Sequence, residues 1–195
     1  MTLTALSGLV LAGCATESLM LRPGNIDVAA VGGQTNLWSL WVEETRDLRP
    51  EPTTGPKVGA IDQRFSEQPT TVYLEPAPAD YVRAEMGRYL LANGLEASSD
   101  DRARALLTLE LLRFEITRDS KDVFDQVTVS VEIKANFRDR SGNDLGAVKV
   151  PAERSVQTPV GSREKMQELV RATLGDVFAA LAASETFRRA AGLAE

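Results

Sequence analysis

Phe124-Asp125-Gln126-Val127-Thr128-Val129-Ser130-Val131-Glu132-Ile133-Lys134-Ala135-Asn136-Phe137-Arg138 is the stretch whose reading decides the fold. Val127, Val129, Val131, Ile133, Ala135 and Phe137 fall on one parity, and Thr128, Ser130, Glu132, Lys134, Asn136 and Arg138 on the other. Successive side chains of a strand point to opposite faces, so this is a strand with one buried face and one wet face. Downstream, Asp139 to Asp144 contains Ser141-Gly142-Asn143 and reads as a hairpin turn. The return strand runs from about Leu145 to Gln157, with Val148, Val150 and Val156 on one parity. Pro151 has no N–H to give a ladder, which puts that strand at a sheet edge. Upstream, Ala105 to Arg118 is a long strand whose alternation slips. Leu107, Leu109 and Leu111 share one parity; Leu112, Phe114 and Ile116 share the other. Either a β-bulge near Leu111-Leu112 brings both sets to the core, or the first half is buried on both faces.

Outward from this meander the periods change. Trp38 to Thr45 reads as a first strand, with Trp38, Leu40 and Val42 on one face. A long polar loop from Arg46 to about Thr70 follows, where Pro50, Pro52, Gly55, Pro56 and Gly59 forbid regular structure through most of its length. Thr71 to Leu74 is a short strand or an extended approach. A helix begins near Pro78, a residue suited to the first turn, carries Val82, Met86, Tyr89 and Leu90 on one face, and stops at Asn93-Gly94. Ser162 can cap a last helix whose stripe is Met166, Leu169, Val170, Thr173, Val177, Phe178 and Leu181, ending between Leu181 and Gly192. The order of strand, helix, three-strand meander and helix predicts an α+β two-layer sandwich: a mainly antiparallel four-stranded sheet with two helices packed on one face. The first strand-helix-strand unit is a right-handed crossover if its strands are parallel.

Composition excludes several chemistries. The chain has 195 residues, a formal net charge of -6, no histidine and one cysteine. Without histidine there is no Ser-His-Asp triad and no His-ligated zinc. One cysteine allows no intrachain disulfide. The acidic balance argues against nucleic acid, whose phosphates need clustered Lys and Arg.

The lone cysteine follows a short apolar run, Leu3 to Leu11, within Leu11-Ala12-Gly13-Cys14. This tetrapeptide resembles the lipobox of bacterial lipoproteins, and the run before it is too short to span a bilayer as a helix. The expected organisation is a signal peptide over 1–13, a lipidated tether over 14–36 and one domain over 37–190. Met1-Thr2-Leu3 carries no Lys or Arg, so the true start is expected upstream. The plainer alternative is a Cys14 buried at the start of a core helix. By the same resemblance, three acyl chains on Cys14 anchor the protein, and Ala15 in place of Asp favours the outer membrane, facing the periplasm.

Val42-Glu43-Glu44-Thr45-Arg46, Val58-Gly59, Leu90-Leu91-Ala92-Asn93-Gly94-Leu95 and the apolar strand from Leu106 stand in an order that resembles the YajG-like lipoprotein family. Glu44 replaces that family's more usual Asp, and Pro50 and Pro52 crowd its loop. The architecture is similar to that of auxiliary lipoproteins of ABC-type lipid transport systems and of the lipopolysaccharide-assembly lipoprotein. The resemblance implies an accessory role: binding an envelope protein partner or lipid.

Glu44, Arg46, Asp47 and Arg49 gather where the first strand meets the long loop. They read either as a polar recognition site, with Arg46 pairing an acidic partner or a lipid headgroup, or as an ion pair of Glu44 with Arg46 that pins the loop. Trp38 and Trp41 differ in parity, so one points away from the helices, as an interface anchor or under loop residues. Asp139, Ser141, Asn143 and Asp144 suit a turn better than a calcium loop, which needs further ligands. Ser162 and Lys165 have Ser-x-x-Lys spacing, but a helix cap is the simpler role. The expectation is therefore an accessory binding or assembly module with no catalytic residue, no cofactor and no metal. A self-associating structural domain, a possible homo-oligomer, is the alternative, followed by a cell-wall hydrolase.

Overall fold

The structure, a computed structural model, describes residues 18–28, 39–50, 54–61, 69–120, 125–158 and 162–193. Cys14 and Trp38 lie outside the described residues. In chain order the elements are β1 (Ser18–Leu21), β2 (Leu40–Asp47), β3 (Lys57–Ile61), β4 (Thr70–Leu74), α1 (Pro78–Ala92), β5 (Ala105–Ser120), β6 (Asp125–Asp139), β7 (Asp144–Thr158), α2 (Arg163–Ala183) and α3 (Glu185–Ala190).

The meander is as the periodicity predicts. β5, β6 and β7 pair antiparallel in sequence order, and β7, with Pro151, is an edge strand. Val127 through Phe137 are buried at every second position. The parity slip in β5 is a bulge: Leu111 pairs with Ile133 and Arg113 with Glu132, leaving Leu112 as the extra residue. That extra residue keeps Leu107, Leu109 and Leu111, then Phe114 and Ile116, all in the core.

The four-stranded, mainly antiparallel sheet is corrected to a mixed sheet of seven strands among the described residues, with three helices. β2 runs parallel to the first half of β5, and β3 meets the second half at Gly59 and Ile116. β4 then adds antiparallel to β3, and β1 adds parallel to β4. Two short strands thus lie end to end along one long one.

Two of these strands occupy segments expected to be irregular. β3 falls inside the Pro- and Gly-rich loop, starting immediately after Pro56. Proline there does no harm because it precedes the ladder. At Gly59 a Cβ would stand 2.1 Å from the Ile116 carbonyl oxygen, so only glycine lets the two backbones meet. β1 and the residues after it lie in the segment expected to be a tether, yet are built into the fold. Leu21 is fully buried, and its carbonyl accepts from Glu75 N at 2.8 Å. The following turn is pinned from both long helices. Tyr81 Oη donates to Gly24 O at 2.8 Å, Arg171 Nη1 donates to Pro23 O at 2.6 Å, and Ile26 N donates to the buried Glu85 carboxylate at 3.0 Å.

The helices close the core on the apolar face. α1 packs against β2, α2 against β6 and β7, and α3 against β7. Tyr89 of α1 meets Phe178 of α2 at 5.7 Å between ring centroids, and Phe187 of α3 meets Phe137 edge-on at 6.0 Å. Pro78 opens α1, and Asn93 with Gly94, at φ 67°, ends it. Ser162 caps α2 by accepting from Lys165 N at 3.3 Å.

Candidate functional site on the open sheet face

The alternation that buries Val127 to Phe137 leaves the other side of the same strands without helices among the described residues. Polar side chains from β2, β5 and β6 line up there by register. Glu44, Thr108 and Asn136 share one rung, and Arg46, Glu110 and Lys134 the next. Glu43 is the extra residue of a bulge in β2, between Val42 and Glu44. The bulge changes which parity of β2 faces the core, so Glu44 and Arg46 both reach the wet face.

Ion pairs fasten this face across the strands. Glu43 pairs with Arg138, Lys134 with Glu110 at 3.1 Å, and Lys149 with Glu132. Arg46 Nε donates to Glu44 Oε2 at 2.7 Å, and this bond and charge hold the Glu44 carboxyl below its ordinary value. Both side chains are about half exposed, at 53% and 50%, so the pair stays open to exchange with a partner's charges. Together with the β6–β7 hairpin at Gly142 and Asp144, these residues line a shallow groove of about 600 Å³. Four carboxylates (Glu43, Glu44, Glu110, Asp144) and two guanidiniums (Arg46, Arg138) line it. The surplus is negative.

The sequence-predicted cluster divides at this point. Glu44 and Arg46 face the groove, whereas Asp47 and Arg49 turn into the fold. Arg49 Nε and Nη2 clasp the Asp47 carboxylate at 2.8 and 2.7 Å. The remaining donors reach Gly55 O at 2.6 Å, Lys57 O at 2.9 Å and Phe114 O at 3.4 Å. The Arg49 side chain is 1% exposed, and its five N–H donors are all engaged. Burial alone would push the Asp47 carboxyl up. The bonds and charge of Arg49, with the Gly55 N–H, more than offset this and hold it below its ordinary value.

Trp41 is half-buried on β2, beside α1. Asp139 accepts from Asn143 N at 2.9 Å and Nδ2 at 2.7 Å, which closes the hairpin turn. Lys165 Nζ bonds Glu168 at 2.7 Å rather than Ser162. Asn136 and Arg138 were legible in sequence as wet-face residues; Glu43, Thr108 and Glu110 were not read as site residues, because cross-strand register is not written in any single strand. Opposite charges at wet-face parity, Glu110 against Lys134, were the available signal.

Fold and face define a mixed-sheet α+β sandwich with one side that no described helix covers and that is laced with charge. No family model matches the sequence, and no curated protein matches it. Solved structures do resemble it. The crystal structure of a Xanthomonas campestris protein of family DUF330 superposes with a TM-score of 0.58 at 9% identity, over 84% of this chain and 95% of that one. An uncharacterised protein superposes at 0.51 with 11% identity, over 86% and 97%. A minor lipoprotein from Acinetobacter baumannii reaches 0.41 at 18% identity, over 75% and 94%. The first two establish a shared fold. Among the described residues no helix is long and apolar enough to cross a membrane.

Proposed function

We infer that the protein is an envelope lipoprotein, held at the outer membrane through Cys14 and facing the periplasm, whose folded part is an accessory binding module for an envelope protein complex. Leu11-Ala12-Gly13-Cys14 supports the anchor. Kinship with YajG-like lipoproteins, read from Val42 to Arg46 and the elements after it, belongs to the same reading. The binding role rests on one observation: a groove of about 600 Å³ on a sheet face that no described helix covers, with ion-paired walls and more carboxylates than cations. That balance suits a partner presenting Lys or Arg and disfavours an anionic lipid headgroup, because like charges across an interface repel.

Two measurements test the reading separately. Intact mass of the protein extracted from its native membranes should show a cleaved and acylated Cys14, and Cys14→Ser should release the protein from membranes. An unmodified sulfur would remove the anchor. A photo-crosslinking residue at Asn136 should capture a protein in the envelope, whereas one at Glu164, exposed on α2, should not. Glu110→Lys should weaken the capture. Equal capture from both positions, or none, would remove the open-face site.

A further inference from the structure

Among the described residues β1 pairs only with β4, in parallel from Ser18 with Thr71 to Leu21 with Leu74, and so forms one edge of the sheet. Successive side chains alternate between its faces. Leu21 is fully buried, and Leu19 packs half-buried against the same core. Ser18 and Met20 take the opposite face, where Met20 stands across from Tyr73 of β4. Met20 is 41% exposed, and Tyr73 is half-buried. Three large apolar side chains are exposed among the described residues: Met20, Leu48 and Leu91. Met20 is the one beside the lipobox, six positions after Cys14.

Chain length limits what can lie against this edge. At about 3.3–3.6 Å per residue, Met20 stays within roughly 20 Å of Cys14 even if the chain between them is fully extended. An acylated cysteine sits at the membrane surface, so β1 is the part of the sheet held nearest to lipid. Charge does not oppose the approach. The charged side chains described over 18–28, 57–61 and 70–75 are Arg22, Lys57, Asp27 and Glu75, two of each sign. Arg22 and Glu75 pair with each other at 2.8 Å. The backbone sets the depth. Hydrocarbon cannot satisfy the outward N–H and C=O groups of an edge strand, whereas water and headgroups can.

We propose that β1, with Met20 and Tyr73, is the edge on which the domain rests against the lipid surface. The inference rests on the acylation of Cys14. The strand lies at headgroup level, where the Met20 side chain is covered by lipid. The amphipathic ring of Tyr73 suits that boundary beside it. This posture also places the open-face groove. Ser18 is level with Thr117 through the registers of β4, β3 and β5. Thr108, which lines the groove, lies far back along β5. At about 3.3 Å per residue it stands roughly 30 Å further along the strands, clear of the surface and open to a partner.

Acylation occupies the one cysteine of the chain, so an introduced cysteine is the only free thiol. The test labels such a thiol with a fluorophore in protein extracted from its native membranes. The protein is then reconstituted into phosphatidylcholine vesicles that carry a nitroxide lipid, spin-labelled either near the headgroup or at the bilayer centre. Labels at Met20→Cys and Thr71→Cys should be quenched by the headgroup nitroxide at least about twice as strongly as labels at Ser155→Cys, on the opposite edge β7, or Ser141→Cys, in the far hairpin, which lie beyond the reach of the short chain. The centre nitroxide should quench none of them. Met20→Asp should lower quenching at Thr71→Cys to the level at Ser155→Cys. Equal quenching at Met20→Cys and Ser155→Cys, strong quenching from the bilayer centre, or no effect of Met20→Asp would each overturn the proposal. Intact mass separates the two failures. Equal quenching with Cys14 acylated overturns this edge alone, whereas an unmodified Cys14 overturns the anchor and this edge with it.

Discussion

Asp47 and Arg49 stand two positions apart in a run of charge, and their roles follow from what else the guanidinium touches. Arg49 ties the end of β2, the start of β3 and the middle of β5 to one planar group. Removing it takes the guanidinium from three carbonyls and from a partly buried carboxylate, which keeps only the main-chain N–H groups of Arg49 and Gly55. Arg49→Ala should therefore cost about 3 kcal/mol in urea unfolding, in line with broken buried pairs. A loss under about 0.5 kcal/mol would mean the clasp is ornamental. The Asp47 carboxyl is depressed in the folded state from an ordinary value of 3.8. Its stabilising contribution is complete above that value and disappears as pH falls through the lower folded-state value. The parent should lose stability in that acid window, and Asp47→Asn should be weaker at neutral pH but flatter below pH about 4. Arg46→Ala, removing only a half-exposed pair, should leave the urea unfolding midpoint close to that of the parent.

β3 and β1 show how short elements are held. Each has five residues or fewer, below what a strand needs to persist unaided. β3 depends on the close approach of Gly59 to Ile116. Gly59→Ala should cost about 1–3 kcal/mol or more by overpacking, because the clash is with backbone that has no rotamer to change. Unaltered melting would show that the two strands do not touch in solution. β1 depends on β4 and on the three side-chain clamps from α1 and α2. Amide exchange at Leu21 and Ile26 should be protected like the core, and Glu85→Ala should expose Ile26 selectively. Exchange at the rate of free chain would restore the tether reading for this segment.

For the whole molecule, the docked N-terminal segment changes the reach of any anchor. Three residues separate Cys14 from β1. A fully extended chain spans at most about 3.3–3.6 Å per residue, so an acylated Cys14 would hold the domain within roughly 15 Å of the lipid surface. Distance measurements from a label at Ser18 to a vesicle surface should find it that close, and a domain standing far off would contradict the fold of residues 18–28. At this scale the open face offers charge in fixed rows across β2, β5 and β6.

What neighbouring residues determine, the sequence announced: the alternation of β6, the edge position of β7 from Pro151, the parity slip in β5 that left a bulge as one of two readings, and both long helices with their Pro, Asn-Gly and Ser boundaries. Each of these depends on a period or a local hydrogen bond carried within a few residues. The tertiary structure alone decided the rest. It made a strand of Lys57–Ile61 inside a loop that Pro and Gly appeared to forbid, drew Ser18–Leu21 out of a supposed tether, and sent Arg46 to the surface and Arg49 inward from one charged run. In these places the partner lies far along the chain, so the energy that fixes the element is absent from its own residues.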